Sequence, residues 1–178
     1  RSDVAGPFLV QADADAVGGF AVVLPEGAGT TDLSGSFALP IDVAVAGDYN
    51  VWLHCRWQNS CGNSVALDGG NQVLTCSDNV YGSWHWVRAG TMKLAAGKQA
   101  IHLREREDGI AIDQVLLTRR LDFRPAGAIR KSGAQIVEVR RFADAFNRSP
   151  GHGLGWQVLA GDWGIDFSYD PNRVPNQY

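Results

Sequence analysis

The residues of this chain that could do chemistry gather most densely between Arg104 and Thr118. Arg104-Glu105-Arg106-Glu107-Asp108 is charged throughout, Gly109 follows, and Ile110–Thr118 is apolar and β-branched with a single acid, Asp113, set inside it. Glu105, Glu107 and Asp108 could in principle supply a carboxylate pair for glycoside hydrolysis. They are instead neighbours in one charged run, not acids facing each other across an apolar cleft. Their alternation with Arg104 and Arg106 predicts a cross-strand ion-pair ladder. The histidines His54, His85, His102 and His152 are dispersed. The first three fall in strands and are expected on a solvated sheet face. The chain has no Gly-x-Ser-x-Gly elbow, Gly-rich phosphate loop or His-Glu-x-x-His pair. No catalytic residue is expected, and the chain reads as a non-enzyme.

Cysteine gives a further constraint. Cys55, Cys61 and Cys76 are an odd set, so at most one internal bridge can form. Their spacing is not that of a zinc site. In an exported chain the expected bridge is Cys61–Cys76, tying the start of one strand to the end of the next. Cys55 has inward parity in its own strand.

Strands must position these residues. Phe8–Ala14 and Gly18–Leu24 read as the first two, and Pro25–Ser34 as a loop. Phe37, Leu39, Ile41 and Val43 alternate with smaller or polar residues, and Pro40 places that strand at an edge or a bulge. Tyr49, Val51, Leu53 and Cys55 alternate with Asn50, Trp52, His54 and Arg56. Ser64–Leu67 leads into the hairpin signal Asp68-Gly69-Gly70, and Gln72–Cys76 returns. Trp84–Val87 is a strand whose two tryptophans point the same way. Ala100–Leu103 and Ile110–Thr118 are expected as the last pair. Roughly eight or nine short strands with frequent turns predict an all-β protein, a jelly-roll β-sandwich with a C-terminal extension.

The expected boundaries are a sandwich over residues 1–120 and an extension over 121–178. Ile136, Val139, Ala143 and Phe146 fit helical spacing, yet Ile136–Val139 would also serve as a strand. The tail holds Trp156, Trp163, Phe167 and Tyr169 and is too short for its own core. It is read as a docking arm or as the opening of a second β domain.

Charge is uneven along the chain. The formal net charge is -3, yet residues 119–148 carry 8 Lys/Arg against 3 acids. The segment is either a solvated connector or a docking surface for an acidic partner or anionic headgroups. No aromatic residues interleave with it on a nucleic-acid fold, so nucleic-acid binding is not expected. No run of eighteen apolar residues occurs, so no spanning helix is expected. The chain opens at Arg1 with neither Met nor signal peptide, which predicts a removed leader or a fragment of a longer chain.

Several short runs come in a telling order: Ala46-Gly47-Asp48-Tyr49-Asn50-Val51-Trp52-Leu53, Asn63–Gly69, Trp84–Val87, Leu94–Lys98, Arg106–Gly109 and Ile112–Thr118. Together, over about residues 7–118, they resemble the galactose-binding-like jelly-roll domains related to carbohydrate-binding module families six and thirty-five. In such modules two acids flanking an alanine on the first strand, with an acid of the last strand, hold a structural calcium ion. The resemblance therefore implies Ca2+ at Asp13, Asp15 and Asp113, since calcium takes six to eight oxygens. The matching stretch, Gln11-Ala12-Asp13-Ala14-Asp15, departs from the pattern in carrying Gln11 and short acids. The other reading has Asp13 and Asp15 capping a turn and Asp113 accepting backbone hydrogen bonds.

The resemblance also implies a polysaccharide or glycan ligand. It would be held in end loops or on a sheet face by an aromatic platform with polar side chains for the hydroxyls. The candidates are Trp57, Asn59, Asn63, Asn79, Tyr81 and Trp84. The tail, through Phe142–Arg148, Gly155–Val158 and Gly161–Trp163, weakly resembles the start of laminin-G-like or concanavalin-like sandwiches.

The first expectation is thus an exported, extracellular or periplasmic, non-catalytic carbohydrate-binding sandwich. The second, of a different class, is a structural subunit of a larger assembly, possible at a membrane surface. Its protein interface would be Arg119, Arg120, Arg124, Arg130, Lys131, Arg140, Arg141, Trp156 and Trp163, within residues 119–178.

Overall fold

A computed structural model describes residues 4–127, 129, 141–143, 154–158 and 162–169, with side chains described for 6–127 and 129. In chain order the strands are β1 (Val4–Ala5), β2 (Leu9–Ala12), β3 (Phe20–Leu24), β4 (Ser36–Val43), β5 (Gly47–Trp57), β6 (Ser64–Gly69) and β7 (Gln72–Ser77). There follow β8 (His85–Leu94), β9 (Gly97–Arg104), β10 (Ile110–Thr118), β11 (Arg141–Ala143), β12 (Leu154–Val158) and β13 (Asp162–Tyr169). No helix occurs among the described residues, and so none that is long and apolar enough to cross a membrane.

The strands form two antiparallel sheets. One has the order β1-β4-β9-β6-β7. In the other, β10 is central. β5 pairs along one side of it and β8 beyond β5, while the other side takes β3 with Ile110–Ile112 and β13 with Gln114–Thr118. β2 pairs outside β3, and β12 and then β11 extend from β13. The described strands of the tail therefore continue the sandwich's own sheet. The expected pairing of Ala100–Leu103 with Ile110–Thr118 is not found. β9 and β10 lie in opposite sheets, and Glu105–Gly109 is the crossover between them.

The period-two patterns build the core. Phe37, Leu39, Ile41 and Val43 face Tyr49, Val51, Leu53 and Cys55, with Leu67, Ile101, Leu103, Ile112, Val115 and Leu117 among their neighbours. Burying such side chains contributes about 1.5–3 kcal/mol each. Pro40 lies on the part of β4 that, among the described residues, pairs with β9 alone, so this stretch is a sheet edge, where proline is tolerated. The hairpin turn falls at Gly70-Asn71, between the paired Gly69 and Gln72. Both turn residues have positive φ, 57° and 62°, as a type I′ turn requires.

The outer face of β5, β8 and β10 is covered as well. Asn50 donates to Leu121 O at 3.2 Å, Trp86 Nε1 to Gly127 O at 2.7 Å, and Gln114 exchanges two hydrogen bonds with Ile129. Residues 121–127 and 129 thus lie over this face as a strap. That is why Trp52 is buried on a side that strand parity assigns to solvent.

Residues 130–140 lie outside the described residues, and with them Arg130, Lys131, Arg140 and the alternative readings of Ile136–Val139. Residues 141–143 are strand, not helix.

Candidate functional site

The site grows from an irregularity in β10. The register with β5 shifts between Ile112 and Gln114, so Asp113 is the extra residue of a bulge. Its side chain joins the outer-face group and is fully buried there. Asp113 Oδ2 accepts from the Val17 N–H at 2.7 Å, and Oδ1 lies 2.6 Å from His54 Nδ1. His54 lies between two tryptophans: Trp84 stacks on it at 5.4 Å, and Trp86 is tilted against it at 5.1 Å. His54 is therefore buried, not on a solvated face as expected. His85 bonds Asp78 at the loop end and His102 is on the other sheet, so the three share no face.

Two residues along β5, Arg56 places its guanidinium 5.0 Å from the Trp84 ring and bonds Asp13 Oδ2 at 2.5 Å. Asp13 Oδ1 accepts from the Asp15 N–H at 2.9 Å, an Asx turn. The three acids expected at calcium do not converge. Asp13 and Asp113 each have both oxygens engaged by the chain's own donors, and Asp15 is exposed. Among the described residues no three His, Cys, Asp or Glu side chains are grouped to hold a metal. With a guanidinium beside Asp13, the residues do not fit a calcium ion needing six to eight oxygens.

The charged crossover organises the loops at one end of the sandwich. Glu105 is buried and accepts from Thr30 N–H, from Thr30 Oγ1 at 2.6 Å and from Gly35 N–H at 3.0 Å. Glu107 accepts from Asn63 N–H at 3.0 Å, and Asp108 from Gly27 and Gly29 N–H at 3.0 and 3.2 Å. Among the described residues only Arg104 of this run makes a cross-strand ion pair, with Asp68 at 2.7 Å. The acids instead satisfy backbone donors that loops leave unpaired. Gly62 packs so closely on the Asp108 carbonyl that a Cβ has no room there.

Between these loops lies a cleft of about 430 Å³. Gln11, Glu26, Arg56 and Gln58 bring polar groups to it, and Val23, Ile110 and Ala111 supply apolar lining. Its walls are tied down. Gln58 N–H donates to Gly109 O at 2.9 Å and Gly82 N–H to Trp57 O at 2.8 Å, while Asp108 holds the loop after Glu26.

The sequence-predicted residues divide around this cleft. Asn63, Asn79 and Tyr81 come together: Asn63 Nδ2 reaches Asp78 O at 2.8 Å and Asn79 Oδ1 at 3.4 Å, and Tyr81 OH reaches Asn79 Oδ1 at 3.0 Å. Tyr81 is exposed, next to Gly82 of the cleft wall. Asn59 turns its own loop, accepting from Cys61 N–H at 2.7 Å, and donates to Glu26 at 3.3 Å. Trp57 lines the cleft, but not as an exposed platform. β5 continues to it with inward parity, so its ring is in the core, with Nε1 2.9 Å from Asp78 and its edge against His85. Trp84 packs on the outer face against His54, under Arg56, and does not join the Asn63–Asn79–Tyr81 group.

The Cys61–Cys76 bridge is also corrected: all three cysteines are free. Cys76 points into the core with its Sγ 3.8 Å from Val87 O, whereas Cys61 is exposed in the Asn59 turn. Burial pushes the Cys55 and Cys76 thiols well up from their ordinary values.

Of the basic positions, Arg119 and Arg120 are exposed, and Arg124 lies over Trp52 at 5.7 Å while donating to Leu121 O and Phe123 O. Arg141, Trp156 and Trp163 are strand positions in β11, β12 and β13. Sequence reasoning missed Gln11, Glu26, Arg56 and Gln58. Their only signal was position, at strand ends and in the first long loop.

No protein-family model matches the chain, and no curated protein matches it significantly. Solved structures do. A GH26-CBM35 β-(1,4)-mannanase from Podospora anserina is similar at 19% identity and TM-score 0.55, over 70% of this chain and 27% of that one. The carbohydrate-binding module of Cellvibrio mixtus lichenase 5A, solved with cellotriose, is similar at 19% identity and TM-score 0.50, over 65% of this chain and 89% of that one. A family 35 carbohydrate-binding module from an environmental isolate gives 14%, TM-score 0.51, 67% and 91%. The chain thus spans about a quarter of the mannanase and nearly the whole of the isolated modules. What the chain shares with these structures is the fold, a sandwich of two antiparallel β-sheets.

Proposed function

We propose that the chain is a non-catalytic, exported carbohydrate-binding module that holds a neutral polysaccharide at the loop end of the sandwich. The observation that carries the reading is the cleft of about 430 Å³ with Gln11, Glu26, Arg56 and Gln58 around an apolar lining. A sugar ring presents C–H groups to an apolar surface and hydroxyls that both donate and accept. Glu26 accepts, Arg56 donates, and the two glutamines do both. The ligand is neutral because Arg56 is already compensated by Asp13, leaving the Glu26 carboxylate to repel a uronate. Tyr81, with Asn79 and Asn63, extends the binding surface beyond the cleft.

The competing reading, a structural subunit docked through residues 119–178, has less support. Arg124 is engaged on the chain's own Trp52, and β13 pairs with the chain's own β10. Affinity electrophoresis in gels containing β-mannan, β-1,3-galactan, mixed-linkage glucan or polygalacturonate tests the proposal. Retardation by a neutral polymer is expected; free migration in every gel, or retardation by polygalacturonate alone, contradicts it.

A further inference from the structure

The acids that the family resemblance assigns to calcium have other partners here, and those partners form a unit. We propose that Arg56 and His54 do in this chain what a bound metal would do: they tie the loop after β2 to the last strand of the sandwich core, and the fold does not depend on calcium.

Four observations carry this. The four carboxylate oxygens of Asp13 and Asp113 have four partners from the chain itself: Arg56 Nη2 at 2.5 Å, Asp15 N–H at 2.9 Å, His54 Nδ1 at 2.6 Å and Val17 N–H at 2.7 Å. His54 and Arg56 are alternate residues of β5, so one face of one strand presents both donors. Both are held from the side as well. His54 pairs in register with Trp86 across the ladder and lies between Trp86 and Trp84, and Arg56 lies over the far part of that column, 5.0 Å from Trp84. Finally, Asp13 N–H donates to Gly19 O at 2.9 Å, closing the loop that carries Val17 to Asp113. A guanidinium fixed between an aspartate and an indole would repel an incoming divalent cation. Its fork also meets a carboxylate in a geometry that the point charge of Lys does not reproduce.

The inference is independent of the carbohydrate reading, and so is its test. Thermal unfolding of the full chain is followed by near-ultraviolet circular dichroism, which reports the tryptophan column, in EDTA and in 10 mM calcium chloride (roughly a hundredfold above a Kd of about 0.1 mM). The expected midpoints coincide. A midpoint that rises by several degrees with calcium, or falls with EDTA, overturns the proposal. Arg56→Met is expected to lower the midpoint by about 5 °C, and Arg56→Lys by less. If Arg56→Met does not fold, the cycle of Arg56→Lys with Asp13→Asn decides. Non-additive midpoints support the pairing, and strictly additive ones overturn it.

Discussion

At the scale of single residues, Asp113 joins sequence to fold. A carboxylate in the middle of an apolar strand is tolerated only if its oxygens are satisfied, and here a ring nitrogen and a backbone amide satisfy them. Removing the carboxylate strands the buried His54 ring. Asp113→Ala is therefore expected to cost about 3–5 kcal/mol, read as a fall in the urea midpoint. The cysteines give a second prediction. Thiolate is the reactive form, and burial disfavours it at Cys55 and Cys76. In native protein at neutral pH, iodoacetamide should label Cys61 alone, with the other two labelled only in denaturant; rapid labelling of Cys76 would contradict its placement. The family resemblance already pointed from Asp113 to the start of the chain, through a calcium ion or a backbone amide, and the Val17 amide is there. It could not show that the partner side chain is His54, because nothing local says what covers the outer face of β5.

At the scale of elements, strands were legible and crossings were not. Alternation in β4 and β5 assigns Phe37, Leu39, Leu53 and Cys55 to the core, and they are there. It put Trp57 in a loop, whereas β5 runs one residue further and parity turns the ring inward, where Trp57 lines the cleft from the core side. The charged run between β9 and β10 reads as a ladder only if those strands pair. They lie in different sheets, so its acids are free to serve loops. Glu105 is the strongest case, with Thr30 and Gly35 as its partners. Glu105→Ala leaves buried donors unsatisfied and should destabilise the fold by about 1–3 kcal/mol. It should also make the Pro25–Gly35 loop a preferred cleavage site in limited proteolysis. A loop as resistant as in the unsubstituted chain would refute the role given to Glu105.

At the scale of the molecule, one sheet carries both the sandwich and the described strands of the tail. β10 is covered by β5 on one side and by β3 and β13 on the other, so its C-terminal half has no free edge. Truncation after residue 150 should speed amide exchange within Gln114–Thr118 while leaving Ile110–Ile112 unchanged, as measured by hydrogen–deuterium exchange. Uniform protection would remove β13 from the sheet. The same arrangement leaves the opposite end of β10, with its crossover and loops, to form the cleft.

That cleft is the centre of the functional account. Isothermal titration with a neutral oligosaccharide, taken from whichever polymer retards the chain, tests it most directly when the unsubstituted chain is compared with Gln58→Ala and Glu26→Ala. Loss of one or two hydrogen bonds predicts binding about tenfold weaker in each variant, with unfolding midpoints unchanged. Unaltered affinity in both variants would place the ligand elsewhere and contradict the account.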